Sequence, residues 1–450
     1  LIGREPKDWD IATNARPEEI LRLFPDSVYE NNFGTVGVKI EDSRNKTQQV
    51  VEVTTFREEG KYTDKRHPDE VKFAKTIEED LARRDFTINA IAAQFPILTD
   101  PYGGREDLKK KVIRAVGKPE ERFEEDALRL MRAVRLAAEL GFEIEEKTAA
   151  AIVKFADGLK DIAAERVRDE FVKIVMCDDS MRGVQTLEDL GLLKHVIPEL
   201  REGIGCGQNL HHIYSVWEHN LRALDYAAKK GYELEIRLGA LLHDVGKPHS
   251  KRGEGKHSTF YGHEIHGAKM TAKIMDRLRF SKDIAEKVHH LVRYHLFYYN
   301  VGEVSEAGVR RFISRVGIDF VDDLVKIREA DRIGSGVPKA KPYKIRHLLF
   351  MIDKVRRDPI SPKMLAVNGD DIMKILTLPP SPKVGWVLSA LMDEVLEEPS
   401  RNKTQDLRLR IKELGRLTDK ELQEFAKKGR EKIGEAELEA EKEMQEKHRV

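Results

Sequence analysis

The spacing of apolar residues changes near residue 120 and predicts different structure on either side. Short β-branched runs at residues 33–40 and 50–56, and a turn-forming segment at 100–104, predict strands within about the first 115 residues. From Glu124 onward the apolar residues recur at helical spacing, and Gly141 is placed to cap the first helix. The apolar face of that helix consists of Leu128, Met131, Val134 and Ala138. The pattern predicts an α+β fold in which a small mixed sheet at the N-terminal end precedes a mostly helical remainder.

Composition narrows the class of protein. The chain has 450 residues, which is enough for about three domains at roughly 150 residues each. Lys and Arg number 79 and Asp and Glu also number 79, so attraction to a polyanion must come from local patches. Two cysteines exclude a disulfide framework, and no apolar run approaches the roughly 18 residues of a membrane span. We therefore expect a cytoplasmic protein with no membrane partner.

Acidic residues near the N-terminal end suggest metal-dependent chemistry. Asp8 and Asp10 lie on one face of a predicted strand, because side chains alternate along a strand. Two Mg²⁺ ions about 4 Å apart can activate a hydroxyl and neutralise a leaving pyrophosphate. Glu52, in the apolar run 50–56, is the natural third catalytic carboxylate. The alternatives are a solvated turn for the Asp pair and an edge-strand glutamate that faces water.

A second polar group lies beside the apolar residues of segment 80–90. It consists of Arg83, Arg84, Asp85 and Asn89. Guanidinium, carboxylate and amide groups together suit a nucleotide, because they form charge-assisted hydrogen bonds with phosphates and ribose hydroxyls. The alternative is a salt bridge at a helix end.

Five motifs follow one another in a characteristic order. They are Asp8-x-Asp10, Glu52–Arg57, Arg83–Ala90, Asp100–Leu108 and Glu125–Arg129. This order resembles the class II tRNA nucleotidyltransferases, the CCA-adding enzymes, and their bacterial poly(A) polymerase relatives. The match is strong over the first 170 residues and looser beyond them. The resemblance implies a head domain of the polymerase β-like nucleotidyltransferase type, followed by a helical neck.

The resemblance also implies roles for individual residues. Asp8 and Asp10 would bind catalytic Mg²⁺, and the nucleotide would contact Arg83, Arg84, Asp85, Asn89, Glu125, Asp126, Arg129, Arg132 and Arg135. Asp126 and Arg129 are three residues apart, which predicts that they meet on one helix face. A carboxylate accepts a hydrogen bond from the exocyclic amine of cytosine or adenine, and a guanidinium donates to the adjacent ring nitrogen. Uracil and guanine present the reverse pattern of donors and acceptors, so such a pair would reject them. The alternative is an ordinary intrahelical salt bridge.

Three further segments refine the expected reaction. Residues 60–68 resemble the flexible loop that CC-adding enzymes lack, which favours addition of the terminal A. Bacterial poly(A) polymerases carry a Gly-Arg-Arg-Phe-like motif where this chain has Asn31–Val36, which favours CCA addition. The family also carries Gly-Gly-x-Val-Arg-Asp ahead of the acidic pair, where backbone amides would cradle the triphosphate. Because residue 1 falls after that segment, we expect an N-terminally truncated head.

Histidines are concentrated in the middle of the chain, with eleven of the fifteen between residues 206 and 295. The order His219, His243-Asp244, His263, His295 and Asp331 resembles the HD phosphohydrolase superfamily. Such ligands suit Ni, Mn, Fe or Zn, or else Mg, and a bound water becomes a hydroxide able to attack phosphate. The resemblance assigns His219, His243, Asp244 and Asp331 to one metal, and His263 and His295 to a second metal or a phosphate contact. His266 is a weaker candidate, and the alternative is a set of packed core histidines.

These observations predict a tRNA nucleotidyltransferase that adds C, C and A, or the terminal A, from CTP and ATP, with an attached HD phosphohydrolase. The expected domains are a head (1–115), a neck with the nucleotide template (116–190), an HD domain (191–345) and a body and tail for tRNA (346–450). The tRNA would be recognised by shape and phosphate contacts. Two alternatives remain: a poly(A) polymerase, and an HD phosphohydrolase with a non-catalytic RNA-binding N-terminal region. The sequence leaves open whether the chain forms a homodimer.

Overall fold

The computed structural model describes Gly3 and residues 9–29, 34–39, 50–59, 71–209 and 213–425. Several predicted features lie outside these residues, namely Asp8, the loop at 60–68, residues 31–33 of the Asn31–Val36 segment and residues 426–450. Among the helices within the described ranges, none is both long enough and apolar enough to cross a bilayer.

A four-stranded mixed sheet opens the chain, as predicted. Its strands are β1 (Asp10–Thr13), β2 (Ser27–Tyr29), β3 (Thr35–Lys39) and β4 (Val50–Thr55), and their spatial order is β1-β4-β3-β2. β1 runs parallel to β4, whereas β3 is antiparallel to both β4 and β2. Helix α1 (Pro17–Leu23) contributes Ile20 to a core shared with Val36, Val38, Val51 and Val53. One sheet face is therefore apolar and buried.

Short strands and helices complete the first part of the chain. They are β5 (Arg57–Glu59), β6 (Val71–Phe73), α2 (Ile77–Ala82), β7 (Ala92–Gln94), β8 (Ile97–Thr99), α3 (Gly104–Lys110), β9 (Val112–Ile113), α4 (Pro119–Glu125), α5 (Leu128–Leu140), β10 (Glu143–Ile144), α6 (Glu146–Phe155), α7 (Ala164–Met176), α8 (Ser180–Asp189), α9 (Leu193–Val196) and α10 (Pro198–Arg201). A single 3₁₀ turn at Thr87–Asn89 follows α2, and another 3₁₀ segment occupies Ala156–Asp161.

The helix predicted from apolar spacing is α5. Its four predicted core residues are buried, and Gly141 caps it with φ 69°, a left-handed conformation that favours glycine. Helix α8 packs on α5 and α7 through Gly183, where an added Cβ would lie 2.6 Å from the Ile174 side chain. Close packing of three apolar faces therefore holds this helical region together.

The rest of the chain is helical. Its helices are α11 (Val216–Lys229), α12 (Leu234–Leu242), α13 (Lys247–Ser250), α14 (His263–Arg277), α15 (Lys282–Tyr294), α16 (Glu306–Val316), α17 (Ile318–Gly334), α18 (Tyr343–Val355), α19 (Gly369–Leu376), α20 (Pro382–Glu397) and α21 (Thr404–Gly415), with 3₁₀ turns at Gly255–His257, Pro362–Met364 and Pro399–Arg401. Residues Ile372, Val387, Leu391, Ile411 and Leu414 form the centre of a core between α19, α20 and α21. The predicted fold class is confirmed.

The chain separates into two compact units. The first holds the residues up to Glu202 together with Ala228–Arg237 and Lys273–Ala285, and the second holds Gly203–Ala227, Leu238–Ala272 and the residues from Glu286 onward. The predicted boundaries at 115/116, 190/191 and 345/346 are finer than this division and stay a prediction.

Candidate functional sites

Two acids lie side by side on the sheet of the first unit. Asp10 of β1 and Glu52 of β4 are register partners, so their side chains leave the sheet on the same face, and both are exposed. Gly37 of β3 is the partner of Glu52 on the other side, and its lack of a side chain leaves room beside the carboxylate. β4 is an internal strand, so the edge-strand part of the alternative for Glu52 is wrong, although the side chain does face water as that alternative held. The sheet therefore pairs two carboxylates on an open face.

The buried carboxylate of Asp80 anchors both predicted arginines. Arg83 donates to Asp80 Oδ1 through Nε (3.0 Å) and Nη2 (2.9 Å), and Arg84 Nη2 lies 3.3 Å from Oδ2. The backbone NH of Arg57, in β5, also donates to Asp80. Asp80 was not among the predicted site residues, although its i, i+3 and i+4 spacing to the two arginines was a usable signal.

Asp85 ties the same motif to the neck. Its Oδ2 accepts hydrogen bonds from Arg132 of α5, with Nε at 2.7 Å and Nη2 at 2.6 Å. Asn89 Nδ2 and the backbone NH of Phe86 donate to the other carboxylate oxygen. Burial alone would raise the pKa of Asp85, but Arg132 outweighs burial and holds the pKa below its ordinary value. The structure thus joins Asp85 and Asn89, which belong to one motif, to Arg132, a predicted nucleotide contact outside the five motifs.

The arrangement of Asp126 and Arg129 differs from the prediction. Helix α4 ends at Glu125 and α5 begins at Leu128, so the predicted shared helix face is wrong. Asp126 has extended backbone and accepts a hydrogen bond from Arg166 of α7 at 2.8 Å. Arg129 instead pairs with Glu125 at 2.5 Å and donates to the carbonyl of Arg83 at 3.3 Å. A break between two helices, which the spacing did not reveal, separates the two side chains.

Arg135 is held inside the neck. Its Nε donates to the buried Glu170 of α7 at 2.7 Å, and its Nη1 donates to Glu139 at 2.9 Å. These contacts brace α5 against α7. No contact described for Arg135 connects it to the Arg83–Asp85 motif, so its predicted role with nucleotide stays a prediction.

The second unit contains a compact cluster of histidines and aspartates. His219 of α11, His243 at the end of α12, and Asp244 form one group, and Asp244 forms a second with His263 of α14 and His295, which follows α15. All five side chains are buried. Asp331 of α17 joins the first group, with Oδ1 3.4 Å from His219 Nε2 and 3.9 Å from His243 Nε2. The structure brings all six predicted residues together, whereas His266 is exposed.

Close helix packing allows this assembly. Gly246 lies where a Cβ would be 2.3 Å from the carbonyl oxygen of His263, so a larger residue would push Asp244 and His263 apart. Gly334 of α17 has a similar place, 2.8 Å from the carbonyl oxygen of His219. These two glycines let the helices that carry the ligands approach each other.

Backbone carbonyls fix the orientation of three imidazoles. Nδ1 lies 2.8 Å from the Ala240 carbonyl in His243, 2.7 Å from the Phe260 carbonyl in His263 and 2.7 Å from the Val292 carbonyl in His295. A carbonyl only accepts, so in each ring Nδ1 carries the hydrogen. Nε2, with its lone pair, then faces the cluster, and this is the orientation that metal-binding histidines adopt.

The spacing of acceptor atoms fits a bound cation. His263 Nε2 lies 3.2 Å from Asp244 Oδ1, and His219 Nε2 lies 3.0 Å from Asp244 Oδ2. Within the described residues, the buried Nε2 atoms of His263 and His295 have no hydrogen-bond partner. Atoms bound to one ion at about 2.1 Å lie about 3.0–3.4 Å from each other. Facing lone pairs at this spacing would repel without a cation, so the cluster fits a metal centre.

Burial and neighbouring charges shift the pKa values of the cluster residues in different directions. Burial lowers the pKa of His219 and lowers that of His295 well below its ordinary value, so both rings are neutral ligands near pH 7. Burial acts in the same direction on His243, but Asp244 and Asp331 outweigh it and raise the pKa. Burial opposes ionisation of Asp331, yet Arg328 and the histidines lower its pKa. The carboxylates therefore stay charged.

Lys247 contacts the cluster but was not among the predicted site residues. Its Nζ lies 2.6 Å from Asp244 Oδ2 and donates to Gln208 Oε1 at 2.6 Å. Lys247 follows Asp244 by three residues, a spacing that could have revealed the contact. Gln208 is distant in sequence and carried no signal.

Comparisons with known proteins match the regions of the chain that contain the two candidate sites. Residues 1–114 match the family model "Poly A polymerase head domain", residues 141–204 match "Probable RNA and SrmB- binding site of polymerase A", and residues 216–333 match "HD domain". The A-adding tRNA nucleotidyltransferase of Deinococcus radiodurans is 36% identical over 72% of this chain and 76% of its own length. The CC-adding tRNA nucleotidyltransferase of Thermus thermophilus is 34% identical over 88% of this chain and 87% of its own.

A solved structure extends the comparison. The crystal structure of the Bacillus stearothermophilus CCA-adding enzyme in complex with CTP superposes with a TM-score of 0.69 and 26% identity, covering 92% of this chain and 90% of the other. The resemblance drawn from the order of the five motifs is confirmed by these matches.

Proposed function

The chain belongs to the tRNA nucleotidyltransferase family, and from this premise we propose that it adds nucleotides from CTP and ATP to the 3′ end of tRNA. The proposal is carried by the pairing of Asp10 with Glu52 on the open sheet face, in a chain 34% identical to a CC-adding relative over most of its length. A transferase of this kind needs oxygen ligands and no side-chain nucleophile, because the tRNA hydroxyl itself attacks.

The acids and arginines have distinct roles in this proposal. Asp8 and Asp10 would hold Mg²⁺, together with Glu52, the register partner of Asp10; the ion, when bound, neutralises the developing charge and activates the hydroxyl. Arg83 and Arg84, anchored by Asp80, offer the guanidinium groups that hold triphosphate and ribose. Asp85, Asn89 and Arg132 fix this motif against α5.

Asp126 and Arg129 would select the base. A carboxylate accepts from the amine of cytosine or adenine, and a guanidinium donates to the adjacent ring nitrogen. Arg166 now holds Asp126, and Glu125 holds Arg129, so binding of a base requires each side chain to share or release its partner. Glu125 acts in this proposal by positioning Arg129.

The identity of the added nucleotides is a separate question, because the relatives include A-adding, CC-adding and CCA-adding enzymes. We favour C, C and A, because the loop sequence at 60–68 resembles that of enzymes that add the terminal A and Asn31–Val36 lacks the poly(A) polymerase motif.

The histidine cluster supports a second activity. His219, His243, Asp244 and Asp331 would hold one divalent metal and His263 and His295 a second, with Ni, Mn, Fe, Zn or Mg as the candidates. Such a metal, when bound, supplies a hydroxide for attack on phosphate. We propose removal of cyclic or terminal phosphates from damaged tRNA ends, which rests on fold-level analogy.

Product-length analysis tests the transferase. Three tRNAs that end before CCA, after CC and after CCA are incubated with Mg²⁺ and labelled CTP, ATP or both. We expect three, one and zero added nucleotides when both are present. Long tails from ATP alone would identify a poly(A) polymerase instead. Absence of transfer by a chain that still hydrolyses phosphate at the histidine cluster would leave the first unit as an RNA-binding region.

A further inference from the structure

An arginine outside the five motifs contacts the residues proposed to select the base. Arg122 belongs to helix α4, and its Nη2 lies 2.5 Å from Oε1 of Glu125. The other carboxylate oxygen, Oε2, accepts a hydrogen bond from Nη1 of Arg129, also at 2.5 Å. Glu125 therefore divides its two oxygens between two guanidinium groups.

Both guanidinium groups are also attached to the end of helix α2. Nη1 of Arg122 donates to the carbonyl of Ala82 at 3.2 Å, and Nη2 of Arg129 donates to the carbonyl of Arg83 at 3.3 Å. Carbonyls at the C-terminal end of a helix carry partial negative charge and commonly accept hydrogen bonds from arginine. The contact with Ala82 gives Arg122 a second anchor, which keeps it beside Glu125 when Arg129 turns toward a base.

A carboxylate that is shared between two cations holds each of them less tightly than it would hold one alone. The two guanidinium groups repel each other, and each neutralises part of the same negative charge. The exposed fractions of the side chains are 16% for Arg122, 25% for Glu125 and 10% for Arg129, so water screens these interactions less than at an open surface. Arg122 thereby lowers the free energy needed to move Arg129 from Glu125 to a ligand.

We propose that Arg122 is a positioning residue for base selection: it competes for Glu125 and so leaves Arg129 able to donate to the ring nitrogen of cytosine or adenine. The inference rests on the proposed transferase function and adds a residue to its specificity. Uracil presents an N–H group at this position and cannot accept from a guanidinium. Loss of Arg122 is therefore expected to weaken binding of CTP and to leave binding of UTP nearly unchanged.

Equilibrium binding and steady-state kinetics of the full chain test this role. Calorimetric titration with Mg²⁺ gives the Kd of CTP and of UTP, and transfer to a tRNA that ends before CCA gives kcat and KM. Arg122→Gln is expected to raise the Kd and KM of CTP roughly fivefold, to change kcat less than about twofold, and to lower the CTP to UTP ratio of kcat/KM roughly fivefold. Arg122→Lys keeps a charge within reach of Glu125 and is expected to restore the ratio to within about twofold of wild type.

Arg182→Gln is the matched control. Arg182, in the same unit, also holds one carboxylate and one backbone carbonyl, since it donates to Glu143 at 2.6 Å and to the carbonyl of Phe142 at 2.9 Å. Its loss is expected to leave the CTP to UTP ratio unchanged. Equal changes of the ratio in Arg122→Gln and Arg182→Gln would mean that general loosening of the helices sets the ratio, and would overturn the proposal.

A double-mutant cycle tests whether Arg122 acts through Glu125. In a Glu125→Gln background there is no carboxylate to compete for, so Arg122→Gln is expected to change the CTP to UTP ratio by less than about twofold. Equal effects in both backgrounds would mean that Arg122 acts through the Ala82 carbonyl instead, and would overturn the proposal. An unchanged ratio in Arg122→Gln, with a normal melting curve, would also overturn it.

Failure of this inference and failure of the transferase function give different results. A wild-type chain that binds CTP more tightly than UTP but adds nothing to tRNA contradicts the transferase function, and the Kd values of the variants still test Arg122. A wild-type chain that transfers nucleotides, with an Arg122→Gln variant of equal preference, contradicts the inference alone. A wild-type chain with no preference between CTP and UTP in binding contradicts the template, and with it the role of Arg122.

Discussion

The two candidate metal sites are built in opposite ways. In the first unit, Asp10 and Glu52 stand exposed on a sheet face and offer oxygen ligands. In the second, His219, His243 and Asp244 are almost completely buried, and a backbone carbonyl fixes the ring of His243. Mg²⁺ keeps several waters and uses substrate phosphates as ligands, so its site must stay open. A metal bound by nitrogen ligands can be enclosed by the protein alone.

This contrast predicts that a substitution in one site leaves the activity of the other site unchanged. Asp10→Asn keeps the size of the side chain and removes its charge, so we expect nucleotide transfer to tRNA to fall by at least about 10³-fold. His243→Ala is expected to leave transfer near wild type. The measurement is incorporation of labelled ATP into tRNA that lacks its terminal A. Transfer that survives Asp10→Asn would remove the sheet from the chemistry.

Metal content separates the two sites more directly. We expect the purified chain to retain a divalent metal through gel filtration, because the buried cluster holds it without help from substrate. Elemental analysis of His243→Ala should show either about one metal ion per chain fewer than in wild type or no bound metal at all. His266→Ala changes an exposed histidine one helical turn from His263 and is the matched control. Equal metal content in both variants would contradict a metal centre at the cluster.

Base selection tests the first unit further. Arg129→Ala removes the guanidinium that would recognise the ring nitrogen, and we expect the preference for CTP over UTP to fall roughly 10-fold to 100-fold. The ratio of kcat/KM values is measured on one preparation, because a fraction of unfolded protein cancels from it. Arg201→Ala, which removes an arginine paired with Glu188, is expected to leave the ratio unchanged. An unchanged ratio in Arg129→Ala would contradict the template role.

The smallest expected effect concerns stability of the first unit. Asp85→Asn leaves the partly buried Arg132 without its carboxylate, and we expect a loss of about 3 kcal/mol near pH 7. The folded-state pKa of Asp85 lies below the usual 3.8, so its charge contributes stability above that pH and loses the contribution as the pH falls through the folded-state value.

Thermal unfolding of wild type and variant near pH 7 and near pH 3 measures this effect. The difference in melting temperature should be several degrees at the higher pH and should shrink at the lower one, because the Asp85 carboxylate of the unfolded wild-type chain binds a proton there and the folded state loses its advantage. A difference that does not change with pH would mean that shape, not charge, holds the motif against α5.

The local elements were predictable to different degrees. Residue spacing predicts the strands at 35–39 and 50–55 and the helix α5 with its Gly141 cap. Burial of one face requires apolar residues to recur every two positions in a strand and every 3.6 positions in a helix. The break between α4 and α5 did not follow, because Asp126 and Arg129 have the spacing of helix neighbours. The contacts of Arg166, more than 35 residues away along the chain, decide where Asp126 points.

In the histidine cluster, too, the residues were predictable from the sequence and their geometry was not. Residue order alone identified its six members, because few structures require that pattern of imidazole and carboxylate. The spacing of their nitrogen and oxygen atoms depends on Gly246 and Gly334, which let the helices approach, and on carbonyls that orient the rings of His243, His263 and His295. Lys247 and Gln208 joined the site only through that packing.

By itself, the sequence determined the family, and it indicated the two kinds of chemistry and most of the residues proposed for them, since residue type and order limit which ligands and bases a chain can offer. Tertiary structure decided which of these side chains touch and which guanidinium holds which carboxylate. Those features depend on distances between residues far apart in the chain, and only the packing of helices and strands sets such distances.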